Sequence, residues 1–262
     1  MVSELALAIA VLVQPTTMAA LLKGIDSVAV SQKFSGVIMV GETDGDMDFA
    51  PSYGMSNRVD TKFATGSVAQ TFTAVAVCML MQDGKIALNA PLSRYLPDRG
   101  DRTTIRQLLT HTAGLGPGAD YDLLGAVIEH VSGQPFPDVV RDRVFTWAGM
   151  TNSSIAYTNA RDLYLFAGML LRRPLPGLFT DTVTTGQEGP NHAYGYGFFV
   201  GKVGGKRIVN QGDMGPGIEN AFDIYPDLDL FVIILSDQDP PAAQHIRQYL
   251  RDGIASPSFT GN

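Results

Sequence analysis

Phe63-Ala64-Thr65-Gly66-Ser67-Val68-Ala69-Gln70-Thr71-Phe72-Thr73-Ala74 is the stretch on which the reading of this chain turns. Gly66 and Ser67 open it, an apolar run over residues 68–81 follows, and Asp83-Gly84 closes it. Those are the start and stop signals of a buried helix. A serine at such a start has two uses: it can cap free backbone donors, or it can present its hydroxyl as a nucleophile. Gln70 follows three positions later, one helical turn on and on the same side.

Outward from this helix the chain reads as strands, many helices, strands and a last helix. Residues 34–40 are apolar and β-branched, and an acidic turn at 42–46 leads to a weaker extended segment ending at Tyr53-Gly54, which predicts a hairpin. Residues 101–109, 123–131, 137–145 and 161–171 carry helical spacing. After Gly189 glycine and aromatics dominate residues 194–200, strands follow at 207–210, 222–225 and 230–235, and Pro240 begins a final helix through residue 250. No repeated β-α-β unit occurs. The order predicts an α+β fold, with an antiparallel sheet drawn from both chain ends and a helical lobe inserted between them. The expected organisation is one domain over 1–262, with an α/β lobe at about 28–60 and 188–262 and a helical lobe at about 61–187.

Composition narrows the partners. With 262 residues, 45% of them hydrophobic, the chain is long enough to bury a large core. Nineteen basic against 26 acidic residues give a net charge of −7, which argues against a grip on nucleic acid or on an anionic membrane. The single cysteine, Cys78, lies in an apolar run and is expected to be a packing thiol. The four histidines show no two-His metal spacing, and the glycines of 212–217 match no nucleotide-binding pattern, so no metal or cofactor is expected. Residues 5–13 are apolar but have no Lys or Arg before Lys23, so they read as an amphipathic helix and not as a secretion signal, and the expected location is cytoplasmic.

Several blocks occur in a telling order. The 63–74 stretch is followed by Asp83-Gly84-Lys85-Ile86-Ala87-Leu88, Pro91-Leu92-Ser93-Arg94-Tyr95-Leu96-Pro97-Asp98, Ile105-Arg106-Gln107-Leu108-Leu109-Thr110-His111-Thr112-Ala113-Gly114-Leu115 and Tyr121-Asp122-Leu123-Leu124-Gly125. In this the chain resembles the serine β-lactamase and penicillin-binding-protein superfamily, nearest its class C and esterase branch. Gly195-Tyr196-Gly197, Gly212 to Gly217, Tyr225-Pro226-Asp227 and Val232-Ile233-Ile234-Leu235-Ser236 are similar too, the first of these on a strand by the same likeness.

The resemblance implies acyl transfer to Ser67, yet the motif groups differ. The Ser-x-x-Lys motif has Gln70 where a lysine is expected, and an amide takes up no proton at neutral pH. The Tyr-x-Asn motif falls on Gly116-Pro117-Gly118, and the cation of the third motif is replaced in Gln211-Gly212-Asp213. The link between residues 151 and 161 is also short. By resemblance the oxyanion hole consists of the Ser67 and Met214 amides, which survive any change of side chain.

The candidate catalytic residues are therefore Ser67, Gln70, Asp213 and His192. Asp213 is a possible general base and His192 a possible proton carrier. Candidate substrate-binding residues are Tyr121, Tyr194, Tyr196, Gln211 and Met214. His111 reads as structural, and His130 and His245 as surface residues. The expected function is a repurposed enzyme acting on a small, largely apolar carbonyl or ester compound by isomerisation, cyclisation, elimination or slow hydrolysis. The alternatives are a catalytically inactive binding protein and, third, a serine esterase using Ser67.

Overall fold

The computed structural model describes residues 17–43, 50–54, 57–99, 102–116, 118–184 and 192–259. The helix expected over residues 5–13 lies outside them. Among the described residues the chain begins with helix α1, Met18–Ser31, capped by the Thr17 hydroxyl on the Ala20 amide. The chain continues through β1 (Gly36–Glu42), β2 (Ser52–Tyr53), β3 (Phe63–Ala64) and a short 3-10 turn, Gly66–Val68, into α2 (Ala69–Gln82). Then come α3 (Ile105–Leu109), α4 (Ala119–Ser132), α5 (Phe136–Val139), a π-helical turn at Val140–Phe145, and α6 (Thr146–Ala148). The last elements are β4 (Tyr157–Thr158), α7 (Ala160–Arg172), β5 (His192–Tyr194), β6 (Phe199–Val203), β7 (Lys206–Gly215), β8 (Ile218–Tyr225), β9 (Leu230–Leu235) and α8 (Ala242–Ala255).

Seven strands form one antiparallel sheet in the order β2-β1-β9-β8-β7-β6-β5, and β3 pairs with β4 in a second, two-stranded sheet. The first sheet thus joins both ends of the chain, as the order of elements predicts. Its central strands are buried on both sides, because two cores lie against it. Ile38, Val40, Val232 and Ile234 pack on α1 and α8 through Leu21, Ile25, Ile246 and Leu250. Val37, Met39, Ile233 and Phe222 pack on the helical segment, where Phe72 of α2 meets Phe145 and Phe166 edge to face. This two-sided burial explains why β9 reads as an unbroken apolar run and not as an alternating one.

Two local expectations change. Gly195, Tyr196 and Gly197, placed on a strand by resemblance, form the tight connection between β5 and β6, closed by the Gly195 N–H donating to the Phe198 carbonyl at 2.7 Å. Gly197 has a left-handed φ of 77°, and a Cβ there would stand 2.8 Å from the Gln70 carbonyl oxygen, so the bend lies directly on the first turn of α2. The helix expected at 101–109 begins only at Ile105, where Thr104 and Gln107 form a capping box.

Candidate functional site

Ser67 lies in the 3-10 turn before α2, and no side-chain cap bonds α2 at its start. The capping use of Ser67 is therefore not realised. Among the described residues its hydroxyl has no hydrogen-bond partner, whereas its backbone N–H donates to Asp213 Oδ2 at 2.9 Å. The Met214 N–H donates to Asp213 Oδ1 at 2.8 Å. The two amides expected to form an oxyanion hole are thus both engaged by one internal carboxylate. Asn220, opposite Asp213 in the β7–β8 register, donates from Nδ2 to the Ala64 carbonyl at 2.7 Å and ties the sheet to the segment leading into Ser67.

Gln70 stands at the centre of a second network. Its Oε1 accepts the Tyr194 hydroxyl at 2.8 Å and lies 3.3 Å from His111 Nε2 and 3.5 Å from Gln211 Nε2. Gln211 is buried and fixed on all sides: Nε2 donates to the Gly197 carbonyl at 3.0 Å and to the Tyr194 hydroxyl at 3.3 Å, and Oε1 accepts the Gly212 N–H at 2.9 Å. The polar residues at 70, 194 and 211 therefore converge.

The structure also brings in a pair that sequence reasoning missed. His111 Nδ1 lies 2.9 Å from Asp120 Oδ2, and Asp120 is buried with its other oxygen unpartnered among the described residues. The local fold explains the meeting. Helix α3 ends in a Schellman motif, with the Thr112 N–H donating to the Gln107 carbonyl and the His111 N–H to the Leu108 carbonyl. His111 occupies the left-handed position, φ 53°, where glycine is usual. That conformation accompanies a ring packed on Tyr121 and Tyr194, at centroid distances of 5.0 and 4.9 Å. The only sequence signal was a carboxylate nine residues after a histidine, which by itself is uninformative.

With Asp120 accepting from Nδ1, the outer nitrogen faces Gln70. A protonated ring donates there to Oε1, and a neutral ring accepts from a rotated Gln70 amide. The pair therefore holds the imidazole in one orientation and couples its proton to the Gln70 network.

Tyr121 is buried; its hydroxyl donates to the Leu109 carbonyl at 2.9 Å, and burial, then Tyr194, hold that phenol well above its ordinary range. Tyr196 is wholly buried, with its hydroxyl on Asp181 and Arg106 Nη1 at 2.8 Å from the same carboxylate, so it braces the helical segment and shows no surface to a ligand. Tyr194 belongs to the network, while Met214 is 62% exposed at the rim. His192 pairs opposite Gly201, and its side chain lies outside the described residues. His130 and His245 are exposed.

A cavity of about 190 Å3 adjoins Asp213, lined by Phe199, Asn210, Met214, Asn220, Gln244 and Arg247 among others, a mixed polar and apolar lining. A wider surface cleft of about 760 Å3, lined by Arg58, Asp60, Asn152, Arg161 and neighbours, contains none of the residues of the Ser67 site. Among the described residues no group of three or more His, Cys, Asp or Glu could hold a metal, and no helix is long and apolar enough to cross a membrane.

The Beta-lactamase family profile matches residues 16–255, nearly the whole chain and all of the elements above. The chain belongs to the β-lactamase family. Among curated members, esterase EstB of Burkholderia gladioli is 31% identical over 121 residues, 38% of this chain and 31% of that protein. Penicillin-binding protein 4 of Amycolatopsis lactamdurans is 25% identical over 177 residues, 49% of this chain and 46% of that protein. This β-lactamase-family chain thus spans less than half the length of these relatives. Solved structures share its fold: a penicillin-binding protein from Bacillus halodurans at 23% identity and TM-score 0.76, covering 86% of this chain and 97% of that one. The D-amino acid amidase of Ochrobactrum anthropi superposes at 15% identity and TM-score 0.77, covering 90% of this chain and 97% of that one.

Proposed function

We propose that this β-lactamase-family chain has lost the acyl-serine cycle of its superfamily and uses the cleft for a small carbonyl or ester compound, with His111 and Asp120 as the proton-handling pair. The observation that carries the reading is the His111–Asp120 contact at 2.9 Å, which turns Nε2 toward Gln70, one turn from Ser67. An imidazole oriented by a buried carboxylate is a general acid or base. Gln70 offers Ser67 no group that takes up a proton at neutral pH. His111 is moreover held in a left-handed conformation that costs a non-glycine residue on the order of 1 kcal/mol, and strain of this kind gathers at functional sites. The reaction classes that fit are isomerisation, cyclisation or elimination next to a carbonyl.

A second reading, a binding protein without turnover, is favoured by the Asp213 carboxylate on the Ser67 and Met214 amides. The test pairs two measurements. Intact-mass analysis after exposure to a fluorophosphonate, a penicillin and an activated ester should give no adduct dependent on Ser67, and an adduct abolished by Ser67→Ala would return the chain to acyl transfer. Deuterium exchange from solvent into a panel of small ketones and esters should be accelerated by the wild type and lost in His111→Asn. Ligand binding with no exchange would favour the second reading.

A further inference from the structure

We propose that Asp213 is a built-in occupant of the anion site formed by the Ser67 and Met214 amides, and that it decides whether a ligand oxygen enters the cleft. Each carboxylate oxygen takes one amide, Ser67 at 2.9 Å and Met214 at 2.8 Å, so both donors are spent on a charged acceptor within the same chain. Hydrogen bonds to a carboxylate are about twice as strong as those to a neutral acceptor. A neutral carbonyl arriving at this site therefore faces a stronger acceptor already in place, and an anion faces its charge as well.

The surroundings are shaped around the carboxylate. Gly66 passes so close that a Cβ there would stand 2.1 Å from Asp213 Oδ2 and 2.7 Å from Asp213 Cγ. Asn220, across the β7–β8 ladder, fastens this part of the sheet to the Ala64 carbonyl, so the Ser67 amide and the Asp213 strand are held in register. Asp213 is carried near the end of the β7–β8 hairpin, beside the exposed Met214 and the turn at residues 216–217. Opening the site requires only that this hairpin end or the Asp213 side chain move, with the core of the sheet unchanged. The ligand chemistry that competes for the two amides is a carboxylate or an oxyanion.

The inference rests on the Ser67 cleft being the functional site, but the two are tested apart: amide spectra report the occupant, and deuterium exchange reports turnover. In full-length 15N-labelled protein, the Ser67 and Met214 amide resonances are followed during titration with sodium acetate against a sodium chloride control. The wild type should not respond. Asp213→Gly should give saturable shifts at both amides, with an apparent affinity for acetate at least about tenfold higher, corresponding to about 1.4 kcal/mol. Equal titration of wild type and variant would overturn the proposal, as would a folded Asp213→Gly that shows no shift at either amide. Should Asp213→Gly fail to fold, Asp213→Asn supplies one acceptor oxygen for two donors. One of the two amide protons should then move upfield, and two unchanged resonances would overturn the proposal.

Discussion

His111 Nδ1 lies 2.9 Å from the Asp120 carboxylate, and this contact coexists with a left-handed backbone at His111. The side chain gains a buried partner while the main chain bears the cost of a position suited to glycine. The two effects oppose one another, and substitutions at residue 111 separate them.

His111→Ala removes the partner of a buried carboxylate and keeps the backbone cost, for a loss of about 1–3 kcal/mol. His111→Gly removes the same partner but relieves the left-handed conformation, which returns on the order of 1 kcal/mol. Urea denaturation should therefore rank wild type above or level with His111→Gly, and His111→Gly above His111→Ala. An alanine variant as stable as the glycine variant would contradict the account.

Asp223 gives the fold an acid limit. Burial alone would raise its carboxyl, but Arg247 and then Arg251 outweigh burial and hold it at about 2, below the ordinary 3.8. Arg247 Nη2 lies 2.5 Å from Asp223 Oδ1 and Arg251 Nε 2.8 Å from Oδ2. A carboxyl depressed on folding contributes stability in full above 3.8 and loses it as the pH falls toward about 2. The contribution is on the order of 2 kcal/mol. Thermal melts across that window should show the loss in the wild type, and Asp223→Asn should flatten it while lowering stability at neutral pH by about 3–5 kcal/mol.

Cys78 should be silent toward thiol reagents. It is buried in α2, and burial first, then the charge of Asp181, push its thiol up to about 12, so little thiolate exists at pH 8. Labelling by a disulfide reagent should proceed at the rate of unfolding and jump in denaturant. Rapid labelling of the native protein would show that the α2 core opens.

Gly197→Ala should damage the site and the fold together. The variant places a Cβ 2.8 Å from the Gln70 carbonyl oxygen and 3.0 Å from the Ala74 Cβ, at a backbone φ of 77°. A loss of about 2 kcal/mol or more is expected, from the backbone term plus the clash. Its amide spectrum should show shifts centred on Gln70 and Gln211, because Gln211 Nε2 donates to the Gly197 carbonyl. A stability unchanged from wild type would mean that the bend does not rest on α2.

Much of the fold was legible in the chain. The apolar run of residues 68–81 became α2, residues 230–235 became β9 with its bounds unchanged, and the order of elements gave the antiparallel sheet joined from both ends. The bend at Tyr196 differs from the strand that the resemblance placed there, because nothing local records that Gly197 must lie against α2. Helix α1 was not anticipated: Leu21 and Ile25 are spaced for a helix, but only four of its fourteen residues, Met18, Leu21, Ile25 and Ala29, are buried, so its apolar stripe is narrow.

The site divides differently. The identities of Ser67, Gln70, Gln211 and Asp213 follow from the chain, as does the absence of a lysine one turn from the serine, since those depend only on spacing along a helix or strand. That Asp213 lies on the Ser67 amide, 146 residues away, and that His111 turns back onto Asp120, was decided by tertiary structure alone. Hydrogen bonds reach about 3 Å and take no account of distance along the chain, so contacts of this kind exist only once the sheet register and the helix ends have set the groups face to face.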